Sequence, residues 1–206
     1  MSGPAAPLSW PEYYAKTEGR PPRPTLLAAL DAFDREDRRG YAIDLGCGAG
    51  RDSLEILKRG WELLAIDREL SGLERLQEVA APGSRLHTCC NSFEKMSLPP
   101  ALLINASFAL PLVAPECFLT VWRKVTAALL PGGRFAGQFF GVRDSWNGQK
   151  NLTFHDKDQL QALLRGFEVE MFEEEEEDSV TVRGEAKHWH IFHVVARNPD
   201  EEEAPQ

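Results

Sequence analysis

Three glycines, Gly46, Gly48 and Gly50, crowd the end of the run Ala42-Ile-Asp-Leu-Gly-Cys-Gly-Ala-Gly50. A glycine turn between a strand and a helix brings backbone N–H groups close to a ligand, at the place where open α/β sheets take nucleotide-like groups. Counted from Gly46, the dinucleotide spacing G-x-G-x-x-G puts Arg51 in the third glycine position, so the pattern here is G-x-G-x-G. That departure speaks against a nicotinamide-dependent oxidoreductase. Seventeen residues past Gly50, Asp67 closes the next apolar run, where a carboxylate can accept two hydrogen bonds from a ribose diol. Asp44, one residue inside the first strand, is a candidate for ligand contact or for capping the turn.

A second group of reactive types lies further along. Gly141-Val-Arg-Asp-Ser-Trp146 follows an apolar strand directly; Arg143 is suited to pairing with an anionic substrate and Trp146 to facing a cation or an aromatic ring. The alternative is a surface loop in which Arg143 pairs with Asp144. His188-Trp-His190 falls on an alternating run, so both imidazoles share one face and Trp189 takes the other. Two such groups could act as base or substrate contact, or simply pack; no convincing set of further ligands completes a metal site. Arg143, Asp144, His188 and His190 are therefore the candidate catalytic residues, and no metal is expected. The run Glu173-Glu-Glu-Glu-Glu-Asp178 repels itself and reads as a solvated strand end and loop, with attraction of a cationic substrate as the sharper alternative.

These residues need elements to position them. After the stiff Arg20-Pro-Pro-Arg-Pro24 segment, Leu26, Leu27, Leu30 and Phe33 recur at helical spacing. Tyr41–Leu45 and Trp61–Asp67 read as short apolar strands, with a helix through Leu54 and Leu57 between them. A helix from Leu70 to Val79, strands at Arg85–Cys89 and Leu102–Ser107, a helix from Glu116 to Leu130 and a strand from Arg134 to Phe140 follow. Strands alternating with helices argue for βαβ units and a doubly wound, mostly parallel sheet in an α/β domain. A short helix near Asp156–Leu164 then precedes two alternating runs, Phe167–Phe172 and Lys187–Ala196, expected as an antiparallel pair at the sheet's edge.

Composition bounds the rest. The chain has 206 residues, 43% hydrophobic and 27% charged, enough for one domain with a full core. The net charge of −9 is uneven, because residues 168–206 carry 13 of the 32 acids and only 3 of the 23 bases. No long basic stretch exists, which disfavours a nucleic-acid substrate. No apolar run reaches the roughly 18 residues of a membrane span, and the first residues lack signal-peptide order, so the chain reads as cytoplasmic. Cys47, Cys89, Cys90 and Cys117 show no metal spacing and read as reduced packing residues. Three segments are expected: a cap or lid over residues 1–24, the main domain over 25–197, and a disordered acidic tail over 198–206.

The string Ile43-Asp-Leu-Gly-Cys-Gly-Ala-Gly50, the acid Asp67 and the later Leu130-Pro-Gly-Gly-Arg-Phe135 together resemble the motifs of class I S-adenosylmethionine-dependent methyltransferases. The resemblance covers roughly residues 25–140 and implies a seven-stranded Rossmann-like sheet with a reversed last strand. It also implies that Gly46, Gly48 and Gly50 line the methionine and ribose part of the cofactor, with Asp67 on the ribose hydroxyls. Asn91 and Phe93 would meet the adenine, although family members commonly carry an acid where Asn91 stands; Asn105 and Ala106 would face the sulfonium. Tyr14, within Trp10-Pro-Glu-Tyr-Tyr14, and Arg23 lie where similar tellurite-resistance-type enzymes contact cofactor or close the pocket; the alternative is that Tyr13 and Tyr14 pack the first helix. Asn105-Ala-Ser-Phe108 lacks both prolines of the N-P-P-[FY] motif of enzymes that methylate nucleic-acid bases and glutamine amides. The expected activity is methyl transfer to a small-molecule acceptor by a monomer or homodimer. A protein or RNA acceptor, or cofactor binding without transfer, are the alternatives.

Overall fold

The computed structural model describes residues 10–17 and 19–200. Its strands are β1 (Tyr41–Leu45), β2 (Glu62–Asp67), β3 (Leu86–Cys90), β4 (Ala101–Ala106), β5 (Leu129–Gly141), β6 (Phe154–His155), β7 (Glu168–Val180) and β8 (Ala186–Arg197). Its helices are α1 (Trp10–Thr17), α2 (Pro24–Arg35), α3 (Ser53–Lys58), α4 (Leu70–Val79), α5 (Pro115–Ala128) and α6 (Lys157–Leu163). The sheet order is β3-β2-β1-β4-β5-β8-β7, with the two-residue β6 beside the end of β5. The first five strands pair in parallel, and β8 runs antiparallel to both β5 and β7. This is the doubly wound sheet with an antiparallel C-terminal pair that the alternating pattern predicts.

The order fixes where a ligand can sit. The chain winds outward from β1 to β3, then crosses back to β4, so loops leaving β1 and β4 diverge and open a crevice at their carboxyl ends. Ala42–Leu45 and Leu103–Ala106 are buried throughout, as strands covered on both faces must be. One cover is formed by Leu26, Leu30 and Phe33 of α2 with Ile56, Leu73 and Leu76. The other is formed by Phe118, Trp122 and Val125 of α5 against Phe135 and Phe139. Pro24 starts α2 at a position where its missing N–H costs nothing, and extended Arg23 (φ −69°, ψ 141°) leads into it. No helix among the described residues is long and apolar enough to cross a membrane.

The acid run departs from expectation. Glu173–Asp178 lies inside β7, fully paired to β8, rather than at a strand end and loop. Successive carboxylates on a strand point to opposite faces, which halves their crowding, and β7 is an edge strand, where charge discourages pairing with another chain. Residues 198–200 also differ from the expected tail. Asn198 exchanges backbone hydrogen bonds with Gly132 (2.7 Å) and Gly133 (2.8 Å), and its Nδ2 donates to Leu129 O at 2.8 Å. Residues 201–206, and residues 1–9 of the expected cap, lie outside the described residues.

Arg134 joins three elements. Its guanidinium, 3% exposed, donates to Glu36 after α2 (2.9 Å) and to Glu170 of β7 (2.7 Å), and lies over the Phe33 ring at 4.6 Å. Removing it strands two partly covered carboxylates. Arg134→Ala is expected to lower the unfolding free energy by about 3 kcal/mol, measured by urea titration.

Candidate active site

Gly46 and Gly48 open the turn after β1 in the left-handed region, with φ of +70° and +53°. A Cβ on Gly46 would stand 2.7 Å from the Ala109 Cβ, and one on Gly48 would stand 2.9 Å from the Tyr14 ring. The turn is therefore wedged between the loop leaving β4 and helix α1. Gly48 N donates to Asp67 Oδ2 at 2.8 Å and Glu69 N donates to Asp67 Oδ1 at 2.9 Å. Both oxygens are thereby aimed, and each keeps a lone pair for a ligand. Gly50 does something else: a Cβ there would lie 2.4 Å from Leu76 Cδ1, so it lets α4 pack and does not line the cleft.

Beneath the turn two carboxylates share one amide. Ser53 Oγ donates to Asp44 Oδ2 at 2.6 Å, and Asn105 Nδ2 donates to Asp44 Oδ1 (2.8 Å) and Asp52 Oδ2 (3.2 Å). Arg23 N reaches Asp52 Oδ1 at 2.9 Å. Burial first, and then the neighbouring Asp52, push the Asp44 carboxyl up to about 7. Asn105 is completely covered, as is Ala106, so neither forms the cleft surface expected of them. Asn105 instead donates from its single amide nitrogen to both acids, and Asp44 and Asp52 themselves face the cleft.

Around this centre stand the remaining cofactor-side candidates. Tyr14 is 6% exposed, and burial followed by the Asp67 charge raises its hydroxyl. Phe93 approaches Gly46, and Asn91 Oδ1 accepts from Ser92 N at 2.9 Å. The Arg23 guanidinium lies 4.3 Å over the Phe108 ring; burial, then repulsion from Arg51, lowers its pKa. Phe108 itself adopts φ +55°, a strained conformation for a bulky residue, and its N–H is taken by the buried Gln138 at 3.2 Å.

The four candidate catalytic residues do not line this cleft. Arg143 lies on the opposite face of the β7–β8 pair, bound to Glu174 (2.7 Å) and Glu176 (2.9 Å), so its guanidinium is already paired there. His190 Nδ1 accepts from Arg143 N at 3.1 Å, and its Nε2 lies 3.0 Å from both Glu174 Oε1 and Arg143 Nη2, so both ring nitrogens are engaged on that face. His188 sits between Asp178 (2.8 Å) and Glu176 (3.0 Å), which raise its pKa. Asp144 is buried in an ion pair with Lys187, whose Nζ lies 4.0 Å from the Trp146 ring and 4.1 Å from the Trp189 ring. Strand parity explains the outcome: even positions of β8 turn away from the cleft, and odd positions Trp189, Ile191 and His193 turn into it.

One cleft of about 1270 Å³ joins both halves, from Tyr14, Gly46 and Asp67 to Trp146, Trp189 and His193. Phe108, Phe140 and Trp146 form its aromatic floor, with centroids 6.2 Å apart for Phe108–Phe140 and 6.1 Å for Phe140–Trp146. Sequence reasoning did not single out Asp52, Phe108 or His193 for the site, and it named Glu175 and Glu177 only within the acid run, with attraction of a cationic substrate as the alternative reading. The parity of the β8 run was the available signal for His193. Among the described residues, no three His, Cys, Asp or Glu side chains come together in a way that could hold a metal ion.

The pH dependence of stability follows from Asp44. Its folded pKa lies above the unfolded value, so its stabilisation is full at low pH and is lost as pH rises toward about 7. Asp44→Asn is expected to gain stability relative to the wild type as pH climbs from about 4 to 7, with a flat difference above that window. Urea titrations at stepped pH measure it; a constant difference would contradict the raised carboxyl.

Comparison with known proteins agrees with this layout. Residues 42–133 match the family model described as a methyltransferase domain. The carboxy-S-adenosyl-L-methionine synthase of Geobacter sp. (strain M21) is 27% identical over 101 residues, covering 45% of this chain and 41% of that protein. That of Shewanella loihica is 30% identical over 97 residues, 44% of this chain and 40% of that one. The chain thus matches less than half the length of these curated relatives. TehB from Haemophilus influenzae superposes with a TM-score of 0.73 at 15% identity, over 92% of this chain and 67% of TehB. Burkholderia thailandensis 1,6-didemethyltoxoflavin-N1-methyltransferase, solved with 1,6-didemethyltoxoflavin and S-adenosylhomocysteine, gives 0.67 at 20% identity over 97% and 94% of the two chains. Over residues 42–133 the chain is thus similar to a methyltransferase domain, and its fold is that of TehB and of the didemethyltoxoflavin N1-methyltransferase.

Proposed function

We propose that this protein binds S-adenosylmethionine at the glycine turn and transfers its methyl group to a small molecule held against the aromatic floor. The observation that carries the reading is the cradle of Gly46, Gly48 and Asp67, in which a Cβ would collide and a carboxylate is aimed by two backbone N–H groups. Asp67 takes the ribose diol, and Phe93 and Asn91 flank the adenine. The Arg23 guanidinium takes the methionine carboxylate, and the Asp44–Asp52 pair compensates the positive charge of the ligand. When bound, the cofactor supplies a methyl group on a sulfonium, an electrophile that needs no covalent protein intermediate. The residues contribute by holding the acceptor in line with that methyl and by excluding water, and alignment of this kind accounts for much of such a rate. Helix α1 covers Gly48 through Tyr14 and acts as the cap. The 27–30% identical carboxy-S-adenosyl-L-methionine synthases and the 1,6-didemethyltoxoflavin-N1-methyltransferase structure support an adenosyl ligand and a small acceptor.

Isothermal titration with S-adenosylmethionine, S-adenosylhomocysteine and NADH tests the reading; micromolar binding of the two adenosyl ligands alone is expected. Asp67→Ala should weaken that binding by about 1–3 kcal/mol through loss of charge-assisted hydrogen bonds, with an unchanged circular dichroism spectrum. Unaltered affinity in the folded variant would remove Asp67 from the site.

A further inference from the structure

In a chain with 32 acids against 23 bases, the covered arginines take more than one carboxylate each. Arg59 binds Glu55, Asp31 and Asp34, and Arg134 binds Glu36 and Glu170. The corner where the segment before α2 meets the start of α3 departs from that rule. Arg20, Arg23 and Arg51 all line the cleft there, and none of their guanidiniums is bonded to a carboxylate among the described residues.

Two tethers bring the three together. Arg51 Nε donates to Pro21 O at 2.6 Å and Arg23 N donates to Asp52 Oδ1 at 2.9 Å, so residues 20–23 are laid along residues 51–52. Each guanidinium therefore repels the other two: burial and then Arg51 lower the Arg23 pKa, with Arg20 adding to the effect, and burial lowers that of Arg51, with Arg20 again adding to it. The opposing groups are the Tyr13 hydroxyl and Asp52. Both Asp52 oxygens already accept a hydrogen bond, Oδ1 from Arg23 N and Oδ2 from Asn105 Nδ2 at 3.2 Å. The Arg23 guanidinium, 4.3 Å over Phe108, sets this corner against the aromatic floor, since the Phe108 and Phe140 centroids are 6.2 Å apart. Like charges held together without a counter-ion favour an anion bound between them.

We propose that the methyl acceptor is a small organic anion, its carboxylate taken by Arg20 and Arg51 while Arg23 holds the carboxylate of the cofactor. This deepens the methyltransferase reading and rests on it. The count of groups carries the step. A methionine tail brings one carboxylate, and the planar fork of one guanidinium matches one carboxylate, so Arg20 and Arg51 are left for a second anion. Arg51 also carries structure through Pro21 O, whereas the exposed Arg20 side chain has no partner of its own among the described residues and is kept for the ligand alone.

The test uses the full chain saturated with S-adenosylhomocysteine and three probes of one shape: benzoate, benzyl alcohol and benzylamine. Benzoate is expected to bind at least about tenfold more tightly than the alcohol, with benzylamine weakest. Arg20→Gln should remove most of that preference and leave the S-adenosylhomocysteine affinity within about twofold of the wild type. Equal or tighter binding of the alcohol or the amine overturns the proposal, as does a benzoate preference that survives in Arg20→Gln. Loss of S-adenosylhomocysteine affinity in that variant, with benzoate binding unaltered, would mean that all three arginines serve the single carboxylate of the cofactor, and also overturns it. Failure of S-adenosylhomocysteine to bind the wild type overturns the methyltransferase reading instead. In a transfer assay with S-adenosylmethionine, meta-mercaptobenzoate should show a kcat/KM at least about tenfold above that of thiophenol, which differs from it only in lacking the carboxylate. Equal values for the two thiols show that the anion is not recognised in the acceptor and remove Arg20 and Arg51 from the acceptor site.

Discussion

Two carboxylates lie side by side beneath the glycine turn, and the single amide of Asn105 between them keeps them there. Asp44 is buried, so its charge is opposed by lost hydration and by Asp52, and hydrogen bonds from Ser53 and Asn105 offset only part of that. Each partner comes from a different element: Asp44 from β1, Asn105 from β4, Ser53 from the start of α3, and the Arg23 N–H from the segment leading into α2. The network therefore sets the separation of β1 and β4 where the sheet's winding reverses, which is where the crevice must open.

Above that centre the glycine turn and the β4 loop are mutually dependent. Gly46 lacks a side chain because Ala109 occupies the space, and Ala109 is brought there by the left-handed Phe108. Strain at Phe108 is offset by its backbone bond to Gln138, which Thr25 of α2 holds in turn at 2.8 Å. The reward for the strain is the ring's position, under Arg23 on one side and beside Phe140 on the other. Phe108 thus links the glycine-turn half of the cleft to the half walled by β7 and β8.

The β7–β8 ribbon shows how one acid run serves two purposes. Its outer edge needs charge to stay unpaired, and five consecutive glutamates supply it. Alternation sends one set of carboxylates to Arg143, His188 and His190, and the other toward the cleft beside Trp189 and His193. The same sequence run is thereby neutralised on one face and left electronegative on the other.

Much of this was legible in the chain by itself. Alternating apolar segments, the glycine spacing and Asp67 determine the sheet, its winding and the end at which a nucleoside-like group would bind, because those features depend on local period and on backbone freedom at single positions. The partition of His188, Trp189 and His190 between two faces was likewise readable from strand period alone. What the sequence could not decide was which face of β8 looks into the cleft, since that depends on how β8 docks antiparallel to β5, placing His193 opposite Gln138. For the same reason Arg143 and Asp144 went to ion pairs with Glu176 and Lys187, partners 33 and 43 residues away in the chain. Asn105 and Ala106 follow the same logic: their place at the end of β4 was evident, but burial beneath Asp44 and Asp52 arises only when three elements close around them. Local period chooses the elements; long-range pairing, through the desolvation of charges it brings together, chooses which side chains remain free to act.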